Sequence, residues 1–124
     1  MSEVTKILTV DDSASMRALL LHALSDQGFA VEQAEDGVAA LEWLESNDCD
    51  IIITDINMPR LDGFGLIEKL RGPGGRYRDR PILVLTTESS DEKKARARSA
   101  GATGWIVKPF DPEKLAAAVR RVTH

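Results

Sequence analysis

The chain alternates short apolar runs with stretches of helical periodicity, and the pair of patterns occurs five times. Ile7, Leu8, Thr9 and Val10 open the series, predicting a strand over residues 6–10. Met16, Leu19, Leu20, Ala23 and Leu24 then recur at helical spacing, which predicts a helix over residues 14–27 packed through those side chains. Ser13 or Asp12 can cap its start, and Gly28 is placed to end it. A second strand over residues 30–34 contains Glu32 and Gln33, so it suits a sheet edge. Asp36 and Gly37 turn the chain into a helix over residues 38–46, anchored by Val38, Leu41 and Leu44. Residues 50–54 are apolar on both faces, as a strand covered by helices on two sides must be.

Beyond them, a loop over residues 56–62 holds Pro59, and Gly63 opens a short helix to residue 70. Gly72, Pro73, Gly74, Gly75 and the arginines up to Arg80 exclude regular structure. That stretch is expected to be a solvated, flexible loop at the end of the sheet away from the chemistry. Ile82 to Leu85 form the fourth strand, and Ser90 or Asp91 starts a helix that Gly101 stops. This fourth helix has no large apolar anchor between Lys93 and Ala100, so it should bury little area and be loosely held. Residues 104–107 form the fifth strand. Asp111 followed by Pro112 begins a last helix with Leu115, Val119 and Val122 on its packed face. Five strands alternating with five helices define an α/β fold, a single doubly wound parallel sheet with right-handed crossovers.

Composition narrows this picture. At 124 residues the chain is read as one domain over residues 1–124. Acidic residues number 20 and basic ones 16, a net charge of -4 that argues against nucleic acid or anionic membrane as main partner. Cys49 stands alone, so no internal disulfide forms and a reducing compartment fits best. The polar N-terminal stretch and the absence of a bilayer-length apolar run make the expectation a cytoplasmic monomer without membrane insertion. His22 and His124 have no zinc-binding pattern around them. Lys93, Lys94, Arg96 and Arg98 read as a solvated helix face, and Trp43 as a partly buried helix residue.

The chemistry lies at the strand ends. The first run ends on Asp11 and Asp12, the third on Asp55, the fourth on Thr86 and Thr87, and the fifth on Lys108. Open α/β sheets bind ligands just beyond the carboxyl ends of their strands. Three acids gathered there repel one another unless a cation neutralises them, and Mg2+ prefers one or two carboxylates plus a phosphate. An ionised aspartate can then attack phosphorus to give an aspartyl phosphate, with Lys108 supplying a point charge and Thr86 a hydroxyl donor. Spacing alone does not say which aspartate is the nucleophile.

With these residues in order, the chain resembles the receiver domains of two-component response regulators, most closely the stand-alone, CheY-like chemotaxis type. The matching stretches run from Ile7 to Ser13, from Asp55 to Pro59, Asp62-Gly63, from Leu85 to Glu88, and from Gly101 to Phe110. The resemblance implies a flavodoxin-like strand order 2-1-3-4-5. It implies that Asp55 accepts a phosphoryl group from a histidine kinase, with Mg2+ as cofactor. Asp12 and Asp55 would hold the metal through side chains, Asn57 through its backbone carbonyl, and Asp11 through a metal-bound water. Lys108, before a cis proline, would contact the phosphoryl group. Thr86 would be the switch hydroxyl and Trp105 the aromatic that turns inward with it, although Trp105 is bulkier than the usual tyrosine or phenylalanine. Asn57 and Glu88 sit where the family tunes loss of the phosphoryl group. The partner surface would be helix four, strand five and helix five, with a flagellar motor switch protein as family-level target.

Such a protein is a switch, losing its phosphoryl group by self-catalysed hydrolysis, and is not expected to be a classified enzyme. The alternatives are a phosphate sink, a small Mg2+-dependent phosphohydrolase, or a flavin protein. The hydrolase of haloacid-dehalogenase type wants a D-x-D arrangement, whereas Asp11 and Asp12 are adjacent. Two acids after the first strand would also repel a flavin phosphate.

Overall fold

The computed structural model describes residues 4–73, 77 and 79–123. The apolar runs become β1 (Lys6–Val10), β2 (Ala30–Ala34), β3 (Ile51–Thr54), β4 (Ile82–Thr86) and β5 (Gly104–Val107). They pair in parallel in the order β2-β1-β3-β4-β5, a flavodoxin-like sheet with β2 on one edge as its polar centre suggests. Val10 stands opposite Ala34 and Thr54, and Thr86 opposite Val107. The residues that follow each strand therefore emerge along one edge, which brings Asp11, Asp55, Thr87 and Lys108 to the same side.

Helices cover both faces: α1 (Ala14–Asp26), α2 (Gly37–Ser46), α3 (Gly63–Arg71), α4 (Asp91–Ala100) and α5 (Pro112–Thr123). Alternation along the strands divides the interior in two. Leu8, Val10, Ile52, Ile82 and Val84 meet Leu44 of α2, Leu66 and Ile67 of α3 and Ala97 of α4. Ile7, Ile51, Ile53, Leu83 and Leu85 meet Leu20 and Leu24 of α1 and Leu115 and Val119 of α5. Each fully buried aliphatic side chain of these layers contributes about 2 kcal/mol of transfer free energy.

Capping chemistry sets the helix starts. The side chains of Ser13, Asp36, Asp62 and Ser90 each accept a backbone N–H from the first turn, and Asp111 does so for Glu113 and Lys114. Gly101 ends α4 with φ 115, a left-handed conformation that a side chain would strain. Several predicted boundaries move by one residue. The first helix ends at Asp26, α2 begins at Gly37, and β3 begins at Ile51. Meanwhile α3 extends to Arg71 and β4 to Thr86.

Two expectations fail. Leu19 is 56% exposed, so it does not share the packed face with Leu20 and Leu24. Three consecutive leucines, Leu19 to Leu21, leave the helical face ambiguous, and only tertiary packing decides it. The loop before β4 is not freely solvated either. Tyr77 is buried in the core, its hydroxyl donating to the Asn47 carbonyl at 3.0 Å. Arg71 donates to the carbonyls of Tyr77 and Gly101, at 2.5 and 3.0 Å, and Arg80 donates to that of Cys49. Residues 74–76 and 78 of that prediction, like His124, lie outside the described residues. Cys49 is fully enclosed just before β3, and burial pushes its thiol up to about 12, so it stays protonated and inert. Among the described residues no helix is long and apolar enough to cross a membrane.

Candidate functional site

Asp11 follows β1, Asp55 follows β3 and Lys108 follows β5, and their side chains meet above the sheet edge. The Lys108 ammonium donates to Asp55 Oδ2 at 2.8 Å and to Asp11 Oδ2 at 2.9 Å. All three are nearly enclosed, with side-chain exposures of 10% for Lys108, 3% for Asp11 and 12% for Asp55. Burial works to lower the Lys108 pKa, but the bonds and charges of Asp55 and Asp11 outweigh it and hold the amine above its ordinary value. The ammonium is thus fixed in its charged form between two carboxylates.

The backbone holds the acids in place. Asp55 Oδ1 accepts the Ile56 N–H at 2.6 Å, and Asp11 Oδ1 accepts the Ser13 N–H at 2.9 Å. Arg17 donates to the Asp11 carbonyl at 2.7 Å. At Gly63 a side chain is excluded, because a Cβ would lie 2.3 Å from the Asp55 carbonyl oxygen. The first turn of α3 can therefore press directly on the backbone of Asp55.

Asp12 is exposed at the mouth, and carboxylate oxygens of Asp11, Asp12 and Asp55 lie within 4.8 Å of one another. Three carboxylates and one ammonium leave two negative charges uncompensated. Hard oxygen donors with that surplus fit a divalent cation such as Mg2+.

The remaining predicted residues flank this cluster. Thr86 is fully buried, and its Oγ1 accepts the Glu88 N–H at 3.4 Å. Trp105 packs against the core, and its Nε1 donates to the Glu88 carbonyl at 3.1 Å. Lys93 pairs with the Glu88 carboxylate at 2.9 Å. The hydrogen bond and charge of Lys93, with a further bond from Asn57, hold Glu88 below its ordinary carboxylate range. Asn57 is exposed, directly after Ile56. Lys108-Pro109 is a cis peptide, as the resemblance implies.

Sequence reasoning missed one strong contact. Asp36, buried with 4% of its side chain exposed, accepts Nε and Nη2 of Arg60 at 2.7 and 2.9 Å. Arg60 holds Asp36 below its ordinary pKa, with the cap bond from Ala39 helping. The partners are 24 positions apart and no local pattern joins them, though an acid before a glycine marks Asp36 as a cap.

The model of the response regulator receiver domain matches residues 7–120. The chain is 46% identical to the chemotaxis protein CheY4 of Vibrio cholerae, whose structure superposes with a TM-score of 0.90 over 97% of this chain and 99% of that one. It is 42% identical to the chemotaxis protein CheY1 of Helicobacter pylori, over 89% of this chain and 90% of that protein. It is also 43% identical to the response regulator MprA of Mycobacterium tuberculosis over 93% of this chain, but spans only 49% of that relative's length.

Proposed function

The chain belongs to the response regulator receiver domain family, and from that premise we propose that it is a cytoplasmic phospho-switch whose Asp55 accepts a phosphoryl group from the phosphohistidine of a kinase. One observation carries the reading. A charged Lys108 bridges Asp55 and Asp11 at 2.8 and 2.9 Å, with Asp12 in the same cluster.

Asp55 is assigned as the acceptor because it matches the family's acceptor position after the third strand, and its Oδ1 is oriented by the Ile56 N–H. Its carboxylate oxygen forms the new bond to phosphorus while the bond from phosphorus to the donor histidine nitrogen breaks, the nitrogen keeping the electron pair. Asp12 and Asp55, with Asp11 and the Asn57 carbonyl beside them, are the residues that would hold Mg2+, and the cation would supply neutralising charge for the transferred oxygens. Lys108 shifts from the free carboxylate to a phosphoryl oxygen, where a compact ammonium suits a point contact. Phosphorylation replaces the single negative charge of the Asp55 carboxylate with a phosphoryl group carrying roughly -1.5 to -2. Thr86 rotates to donate to a phosphoryl oxygen, releasing the Glu88 N–H, and Trp105 follows into the vacated space. Asn57 and Glu88, joined at the mouth, control water access and so the lifetime of the phosphoryl group.

Similarity to CheY1 and CheY4 over nearly their whole lengths supports a role in chemotaxis, with output through α4, β5 and α5 to a motor-type target protein. Phosphorylation-dependent target binding should weaken on charge reversal at Lys93, Lys94 and Arg98. Acetyl phosphate is the direct test of the site. Labelling should require Mg2+, map to Asp55 by mass spectrometry and be absent in Asp55→Asn; an acid-stable adduct or a labelled Asp55→Asn contradicts the reading.

A further inference from the structure

We propose that the Arg60–Asp36 pair is a brace that positions the β3–α3 loop for metal binding, making Arg60 a positioning residue; the inference rests on the reading of the acidic cluster given above. Residues 56–62 carry Asn57 past the cluster, and they are tied down on two sides. Downstream, the Gly63 N–H donates to the Ile56 carbonyl at 2.9 Å. On the other side, Arg60 grips the Asp36 carboxylate with two bonds and the Gly37 N–H donates to the Leu61 carbonyl at 3.1 Å. Between these anchors lie only Asn57, Met58 and Pro59.

Three observations set the pair apart from an ordinary surface contact. Arg60 has φ 66 and is the only non-glycine among the described residues with positive φ. Such a conformation persists where the surroundings over-determine it, and residues of this kind gather at functional sites. Asp36 is buried, whereas the Arg60 side chain is 51% exposed, so the guanidinium closes over the acid from outside. Finally, Asp12, Glu35, Asp36, Pro59 and Arg60 line one cavity, so the brace shares a cavity with the exposed carboxylate of the acidic cluster. A Cβ at Gly37 would lie 2.6 Å from the Leu61 carbonyl, which shows how closely the two loops are drawn together.

The brace and simple electrostatics make opposite predictions. Removing the Arg60 charge beside a cation site should tighten Mg2+ binding if charge alone matters. Loss of positioning should weaken it, and partners that orient metal-facing groups commonly change affinity by about tenfold or more. The experiment is Mg2+ titration by calorimetry of the full chain at fixed ionic strength, with thermal melting alongside. Arg60→Gln should weaken Mg2+ about tenfold. Arg60→Lys, which keeps the charge but loses the two-pronged grip, should weaken it nearly as much. Asp36→Asn retains a capping side chain for α2 and should match them, and the double variant Asp36→Asn/Arg60→Gln should be no weaker than either single change. Unchanged or tighter binding in Arg60→Gln, or additive losses in the double variant, overturns the brace. Wild-type protein that binds no Mg2+ overturns the reading of the cluster and the brace with it, whereas wild-type binding and labelling at Asp55 with indifferent variants overturn the brace alone.

Discussion

The two flanks of the acidic cluster are built differently. On the β1–β3 side, Asp11 and Asp55 are each fixed by a backbone N–H, Gly63 presses on Asp55, and Arg60 ties two loops together. On the β4–α4–β5 side, α4 buries only Ala97, whereas α3 buries five residues. Its start is held by a cap, by the Lys93–Glu88 pair and by one indole bond from Trp105. The other end of α4 is better secured, because Arg71 holds the Gly101 carbonyl and Arg96 stacks on Phe64 at 4.0 Å. The proposed switch needs this asymmetry. One flank must hold the reacting groups still, and the other must change state for a modest difference in free energy.

Breaking the fixed flank should have the largest effect. Lys108→Ala leaves Asp11 and Asp55 enclosed without their ammonium and should cost about 3 kcal/mol in denaturant unfolding with chelator present. Added Mg2+ should recover part of that loss, and a variant as stable as wild type in chelator would contradict the assignment. Next comes Gly63→Ala, whose Cβ would strike the Asp55 and Ile56 backbone. It should lose about 2 kcal/mol and lower Mg2+ affinity, whereas an unaltered midpoint would show that the turn is looser than described.

On the movable flank the effects shrink. Trp105→Phe removes the bond to the Glu88 carbonyl and should cost about 1 kcal/mol, with faster amide exchange confined to residues 87–90. Faster exchange spread over β1 and β3 instead would erase the distinction between the flanks. Lys93→Gln should lower the unfolding midpoint only slightly at neutral pH and return the Glu88 pKa toward its ordinary 4.5, followed by NMR titration. The sign follows from linkage. A carboxylate depressed in the folded state stabilises above its ordinary pKa and loses that contribution as pH falls through the lowered value, so the two proteins should converge in acid.

The same division marks what the sequence revealed. Strand runs, caps at Ser13, Ser90 and Asp111, and the weak anchoring of α4 are local properties, written in spacing and side-chain type. The convergence of Asp11, Asp55 and Lys108 was legible because parallel strands deliver their ends to one edge. Arg60 with Asp36, Arg17 with the Asp11 carbonyl, and Tyr77 in the core were not. Each depends on loops that meet only after folding, and an arginine or a lone tyrosine in a polar stretch gives no sign of its partner. Leu19 failed for a related reason, since three adjacent leucines fit more than one helical face.

The asymmetry itself is best tested by amide NMR of the protein with Mg2+, before and after acetyl phosphate, with Asp55→Asn in parallel. The shifts and exchange rates of residues 86–93 and 104–108 should change, those of residues 36–40 and 60–66 should hold, and Asp55→Asn should show no response. Equal changes on both flanks, or the same changes in Asp55→Asn, would contradict the account.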